Sequence, residues 1–119
     1  MISFKQNCEI YFYRHPVDFR NGINGLSILV EDLLEQNPLS GDIFVFRSKR
    51  RSSIKILYWD KNGFCLWQKR LDQDKFYWPL HLATEEKIVL NHKELRWLLD
   101  GLNLKFWKPH QTLKSEKMF

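Results

Sequence analysis

The chain has 119 residues, which suits one domain with one core, and 44% of them are hydrophobic, which excludes a disordered tail as its main identity. Lys and Arg number 19 against 14 Asp and Glu, a formal charge of +5. That surplus points to a polyanionic partner, because cations bound to phosphates release counterions, although it equally serves solubility. The opening residues Met1 to Gln6 lack the apolar core of a signal peptide, and no stretch has the ~20 apolar residues that span a bilayer.

Cys8 to Arg14 is rich in β-formers (Ile10, Tyr11, Phe12, Tyr13) and predicts a first strand, ended by Pro16. From Phe19, apolar residues recur at helical spacing through Ile23, Leu26, Val30, Leu33 and Leu34, with Asp18 placed to cap the first turn. Gly22 and Gly25 weaken that helix by about 1 kcal/mol each relative to Ala, so it starts later or a neighbour approaches its backbone closely. Asp42 to Phe46 is a continuous apolar run, the mark of a buried strand. Ser52 to Asp60 alternates, Asp60-Lys61-Asn62-Gly63 is a hairpin signal, and Phe64 to Leu71 returns. Phe76-Tyr77-Trp78 before Pro79 reads as a further strand and Lys87 to Leu90 as another. Asn91 with Glu94 three residues on forms a capping box for a helix through Leu95, Leu98 and Leu99, closed by Gly101. The expected fold is one α+β domain over residues 1–105, followed by a loosely held basic tail over 106–119. It comprises an antiparallel meander of about five to six strands, able to curl strongly, with two helices packed on one face.

The densest charge lies in Arg47-Ser48-Lys49-Arg50-Arg51-Ser52-Ser53, between two predicted strands, with Lys55, Lys69 and Arg70 near the same hairpin. Such a loop can track a phosphate backbone, with serine hydroxyls as added donors, or it can be a solvated tip whose charges prevent edge association. Arg20 at the expected helix start either meets an anionic partner or pairs with Asp18. Trp59, Phe64, Trp67, Tyr77 and Trp78, interleaved with cations, fit a base-stacking platform or a packed core; Trp59, Trp67 and Trp78 are the surface candidates.

Catalysis finds little support. A transposase-type nuclease needs carboxylates converging on divalent metal, whereas Asp18 reads as a cap, Asp60 as a turn, and Asp72 and Asp74 as loop residues. His15, His81, His92 and His110 are scattered, and Cys8 and Cys65 lie in apolar strands without metal-like spacing, which suits a reducing cytoplasm. No cofactor, metal, small-molecule substrate or membrane is expected.

Pro16-Val17-Asp18-Phe19-Arg20, Gly22-Ile23-Asn24-Gly25-Leu26 and Asn37-Pro38-Leu39-Ser40-Gly41-Asp42-Ile43-Phe44-Val45-Phe46 form an ordered set of blocks. It continues through Lys55-Ile56-Leu57-Tyr58-Trp59-Asp60, Gly63-Phe64-Cys65-Leu66-Trp67, Lys69-Arg70-Leu71 and Phe76-Tyr77-Trp78-Pro79. In order and spacing this set, within residues 8–103, resembles the TnpB-type accessory proteins of insertion sequence 66 transposons. Asn21, where members usually carry a basic residue, and the acidic Asp72-Gln73-Asp74 depart from that pattern. The resemblance implies a non-catalytic accessory role in transposition beside a separate transposase. Two partners follow: DNA at element ends or in the target, bound through the basic loop, or the transposase and other proteins of the element, docked on exposed aromatics and the helix around Leu26.

Overall fold

Strand alternation decides which side chains share a face, and here it produces a sheet that is apolar on both sides. The computed structural model describes residues 7–78, 80 and 87–101. In chain order the elements are β1 (Ile10–Tyr13), α1 (Ile23–Asp32), β2 (Ile43–Arg47), β3 (Ser53–Asp60), β4 (Gly63–Arg70), β5 (Lys87–Leu90) and α2 (His92–Leu99). The five strands form one open sheet in the order β4-β3-β2-β1-β5. β2, β3 and β4 are the antiparallel meander, with Ile56 opposite Trp67 and Leu57 opposite Leu66.

The class is α+β and the strand number falls in the expected range, but two details of the expectation are corrected. The sheet is mixed: α1 carries the chain across, so β2 lies parallel to β1, while β5 pairs antiparallel with the other edge of β1. The helices also take opposite faces. Leu95, Leu98 and Leu99 of α2 pack with Phe76 and Trp78 over Ile10, Phe12, Val45, Ile54 and Ile56. Leu26 and Val30 of α1, with Leu34 beyond it, cover Tyr13, Phe44, Phe46 and Leu57. Every residue of β2 is buried, which explains a continuous apolar run rather than an alternating one.

Local signals fared unevenly. The α2 capping box forms as expected: Asn91 Oδ1 accepts from the Glu94 amide at 2.8 Å, and Glu94 Oε1 accepts from the Asn91 amide at 2.9 Å. Helix α1, by contrast, starts at Ile23 behind an extended Gly22, with no side-chain cap. Asp18 is used elsewhere, as its Oδ1 accepts from the Arg20 amide at 2.9 Å. Gly25 also permits a close approach, since a Cβ there would lie 2.5 Å from Asn21 Oδ1. In the β3–β4 hairpin Asp60 pairs with Gly63, so the tip is Lys61-Asn62 and the positive φ falls on Lys61 at 54°. Phe76-Tyr77-Trp78 is not a strand; the Phe76 amide donates instead to the Arg51 carbonyl in the β2–β3 loop. The boundary at 105, the tail over 106–119, His81 and His110 lie outside the described residues.

Candidate nucleic-acid interface

β2 and β3 bring the basic loop 48–52 to one end of the sheet, and hydrogen bonds hold it there. Ser48 donates its amide to the Ser53 carbonyl at 3.0 Å, and its Oγ accepts from the Ser53 amide at 3.1 Å. The Arg51 amide returns to the Ser48 carbonyl at 3.0 Å, with Arg51 itself in the left-handed region at φ 61°. Two further bonds attach the loop to the chain that follows β4. The Leu71 amide donates to the Ser52 carbonyl at 2.8 Å, and the Phe76 amide to the Arg51 carbonyl at 2.7 Å. The loop is therefore one side of an open depression of about 930 Å³ rather than a freely projecting tip. Lys49, Arg50 and Arg51 line the loop side, and Asp74, Lys75, Phe76 and Tyr77 the other. Gly101, just past α2, completes the lining.

Not all the cations expected to contact nucleic acid reach this surface. Lys55 points beneath α1, where its ammonium donates to the carbonyls of Phe19 (2.7 Å) and Asn21 (2.8 Å) and lies 4.8 Å from the Phe19 ring. Lys69 is on the opposite face and donates to the Leu99 carbonyl at 2.8 Å, satisfying the C-terminal end of α2. Alternation puts the two on opposite faces, Lys55 under the segment that leads into α1 and Lys69 at the carbonyl end of α2. Arg47 is buried, 5.9 Å from the Trp78 ring, with Nη2 donating to the Arg14 carbonyl at 3.4 Å and Nε without a partner. Burial pushes its guanidinium down from the ordinary value, and the like charge of Arg51 adds to the push. Arg70 is exposed at the same end of the sheet, beside Ser53.

The aromatic candidates separate in the same way. Trp78 is buried, its Nε1 donating to the Tyr13 carbonyl at 3.1 Å, so it offers no ring to a partner. Trp67 is half-buried against the α2-side core, and Trp59 is half-buried with its ring edge-on to Phe64 at 5.0 Å. Leu26, expected at a docking surface, is fully buried, and the exposed large apolar residues near α1 are Ile28, Leu33 and Leu39. Lys75 was not anticipated, since it is an isolated cation 24 positions beyond Arg51, brought to the loop by the Leu71–Ser52 and Phe76–Arg51 hydrogen bonds. Cys8 Sγ lies 3.8 Å from His92 Nε2, a pairing across the sequence that no local pattern announces.

Arg20 takes the local pairing. Its Nη2 lies 2.6 Å from Asp18 Oδ2 on the open surface. Hydrogen bonding from Arg20 is the main cause that lowers the Asp18 carboxyl from 3.8 to about 2. A carboxyl depressed by folding contributes stability above its ordinary value and loses it as pH falls through about 2. Full exposure keeps that contribution small. An NMR titration of the Asp18 carboxyl therefore places its midpoint near 2, and Arg20→Ala returns it towards 3.8. A midpoint already at 3.8 in the unmodified chain would mean that the clamp does not form in solution.

A basic, mixed-sheet α+β module whose cations converge on one depression is the class these features define. The chain belongs to the IS66 Orf2-like protein family, whose model matches residues 8–109, and so to the accessory, TnpB-type component of that insertion sequence. It is 34% identical over 119 residues to "Uncharacterized protein y4hO" of Sinorhizobium fredii (strain NBRC 101917 / NGR234), covering 99% of each chain. It is 42% identical over 96 residues to "Uncharacterized protein y4jC" of the same organism, covering 76% of this chain and 82% of the relative. No solved structure matches. Among the described residues no helix is long and apolar enough to cross a membrane, and no three His, Cys, Asp or Glu side chains are grouped as a metal would need.

Proposed function

We propose that this accessory factor is non-catalytic and binds DNA of the element ends or the target through Lys49, Arg50, Arg51 and Lys75, with Arg70 adding charge from the end of β4. The observation that carries this reading is the convergence of those first four cations on one depression, where no ion pair engages them among the described residues. Cations without acidic partners keep their attraction for phosphate, and the buried charge of Arg47 behind them raises the local potential further. Four phosphate contacts give a log–log slope of affinity on salt of about −3 to −4. Changing Lys49, Arg50 and Arg51 together to Ala flattens the slope by about 2 to 3, as read by fluorescence anisotropy on labelled DNA. An unchanged slope in that variant would remove the loop from the contact.

A second reading has its own observation. Ile28 on α1 is 57% exposed, and Leu33 just past it 44%, apolar side chains suited to docking on the transposase or another protein of the element. Absence of salt-sensitive DNA binding, with co-purification of the transposase lost on Ile28→Asp, would favour it.

A further inference from the structure

Charge is spread unevenly along this chain and, through the topology, across the molecule. No Lys or Arg occurs between Arg20 and Arg47, while that stretch holds four carboxylates, Glu31, Asp32, Glu35 and Asp42. Because β2 lies parallel to β1, α1 runs back along the sheet. Its C-terminal end and the start of β2 therefore lie at the opposite end of the sheet from loop 48–52. We infer that the outer face of α1 docks a basic amphipathic helix of the element's transposase, with Ile28 and Leu33 as apolar anchors and Glu31, Asp32 and Glu35 pairing with its Lys and Arg. The inference rests on the reading that the chain docks on the transposase, and deepens it by naming the chemistry of the segment bound.

Helical periodicity builds this face. Leu26 and Val30 are buried against the sheet, so Ile28, two residues from each, projects on the far side of the helix, where it is 57% exposed. Glu31 and Asp32, three and four residues on, are exposed beside it one turn along. Leu33 follows at the C-cap, and Glu35 is exposed just beyond it. The apolar anchors are thus bordered by carboxylates. Among the described residues no ion pair engages Glu31, Asp32 or Glu35. They also stand where the fold disfavours them, because the open carbonyls at a helix C-terminus repel anions, and the last turn of α1 has no basic residue to offset that. A local rule broken without compensation inside the fold marks a functional surface, and here the missing complement is a cation from outside. Phosphate is repelled by the same carboxylates, which removes DNA as the occupant. A transposase handles DNA and so carries Lys- and Arg-rich segments, and one that is also apolar at helical spacing matches both the anchors and the charges. The anchors then supply affinity, and the carboxylates select the partner.

The test is binding of the full chain to the purified transposase of the same element, by biolayer interferometry at low and high salt. The expected result is a complex that weakens as salt rises, and that the double variant Glu31→Lys with Asp32→Lys weakens at least about tenfold. The same variant melts at or above the parent's temperature, because lysines suit the carbonyl end of a helix, so a loss of binding cannot be a loss of folding. Zero-length carbodiimide coupling of the unmodified complex, which joins a carboxylate to a lysine amine with loss of water, gives a second readout by peptide mapping. Its links are expected from Glu31, Asp32 or Glu35 to a transposase segment with Lys or Arg and apolar residues at helical spacing. Binding that the double variant leaves unchanged, or links made only through other surfaces, would overturn the inference and leave docking on the transposase standing. No complex at either salt would overturn the docking reading itself, and this one with it.

Discussion

Replacing Trp78 with Ala lowers the free energy of unfolding by about 3–5 kcal/mol, the range for emptying a large aromatic site in a packed core. The residue is 1% exposed, and its ring lies 5.1 Å from that of Phe12 at a tilt of 60°. The indole also donates to the Tyr13 carbonyl at the end of β1, joining the irregular segment after β4 to the centre of the sheet. Truncation opens a cavity and deprives that carbonyl of its donor, and it bares the buried Arg47 guanidinium on the side of the ring. Against a total of about 5–15 kcal/mol for a domain of this kind, such a loss leaves a marginal fold. Trp78→Phe keeps much of the apolar volume and loses less. Urea denaturation of the three proteins measures the differences, and a cost below about 1 kcal/mol for the Ala variant would place the ring outside the core.

Lys55→Met destabilises the chain by about 3 kcal/mol, although methionine fills the space at least as well. The ammonium is the donor to two backbone carbonyls, those of Phe19 and Asn21, in the segment that leads into α1. Hydrogen bonds to a charged group contribute about 1.5–3 kcal/mol each, and acceptors left dry beneath a helix carry a further penalty. Because Gly22 provides no side-chain cap, Lys55 is the tether that sets where α1 begins against β3. Hydrogen exchange of the α1 amides should accelerate in the variant beyond the global loss, while the amides of α2 follow the global loss alone. Retained stability in Lys55→Met would return this lysine to the surface and to the pool of phosphate contacts.

Legibility in the sequence followed the range of the interaction. The α2 capping box and the β3–β4 hairpin were readable because Asn91 and Glu94, or Asp60 and Gly63, are three residues apart and meet without tertiary help. Even there the turn shifted, with Lys61 taking the positive φ expected of Asn62-Gly63. Asp18 had two local uses, cap or clamp, and the bidentate neighbour Arg20 decided between them. Alternation gave the two faces of each strand but not which helix covers which face. The uninterrupted run in β2 was the available hint that both are covered. The cationic site was legible only in its contiguous part. Lys55 and Lys69 find their acceptors 30 to 36 positions away, so nothing local distinguishes them from surface lysines. Lys75 comes to the side of Arg51 through long-range backbone hydrogen bonds from Leu71 and Phe76, for the same reason.

The most direct test of DNA binding at loop 48–52 is amide mapping by NMR as a short DNA is titrated onto labelled protein. Binding at the depression predicts that the perturbed amides cluster at 48–52 and 74–77, with those of Ile28, Leu33 and Leu39 unmoved. Perturbations confined to the α1 surface, or spread without a focus, would contradict it.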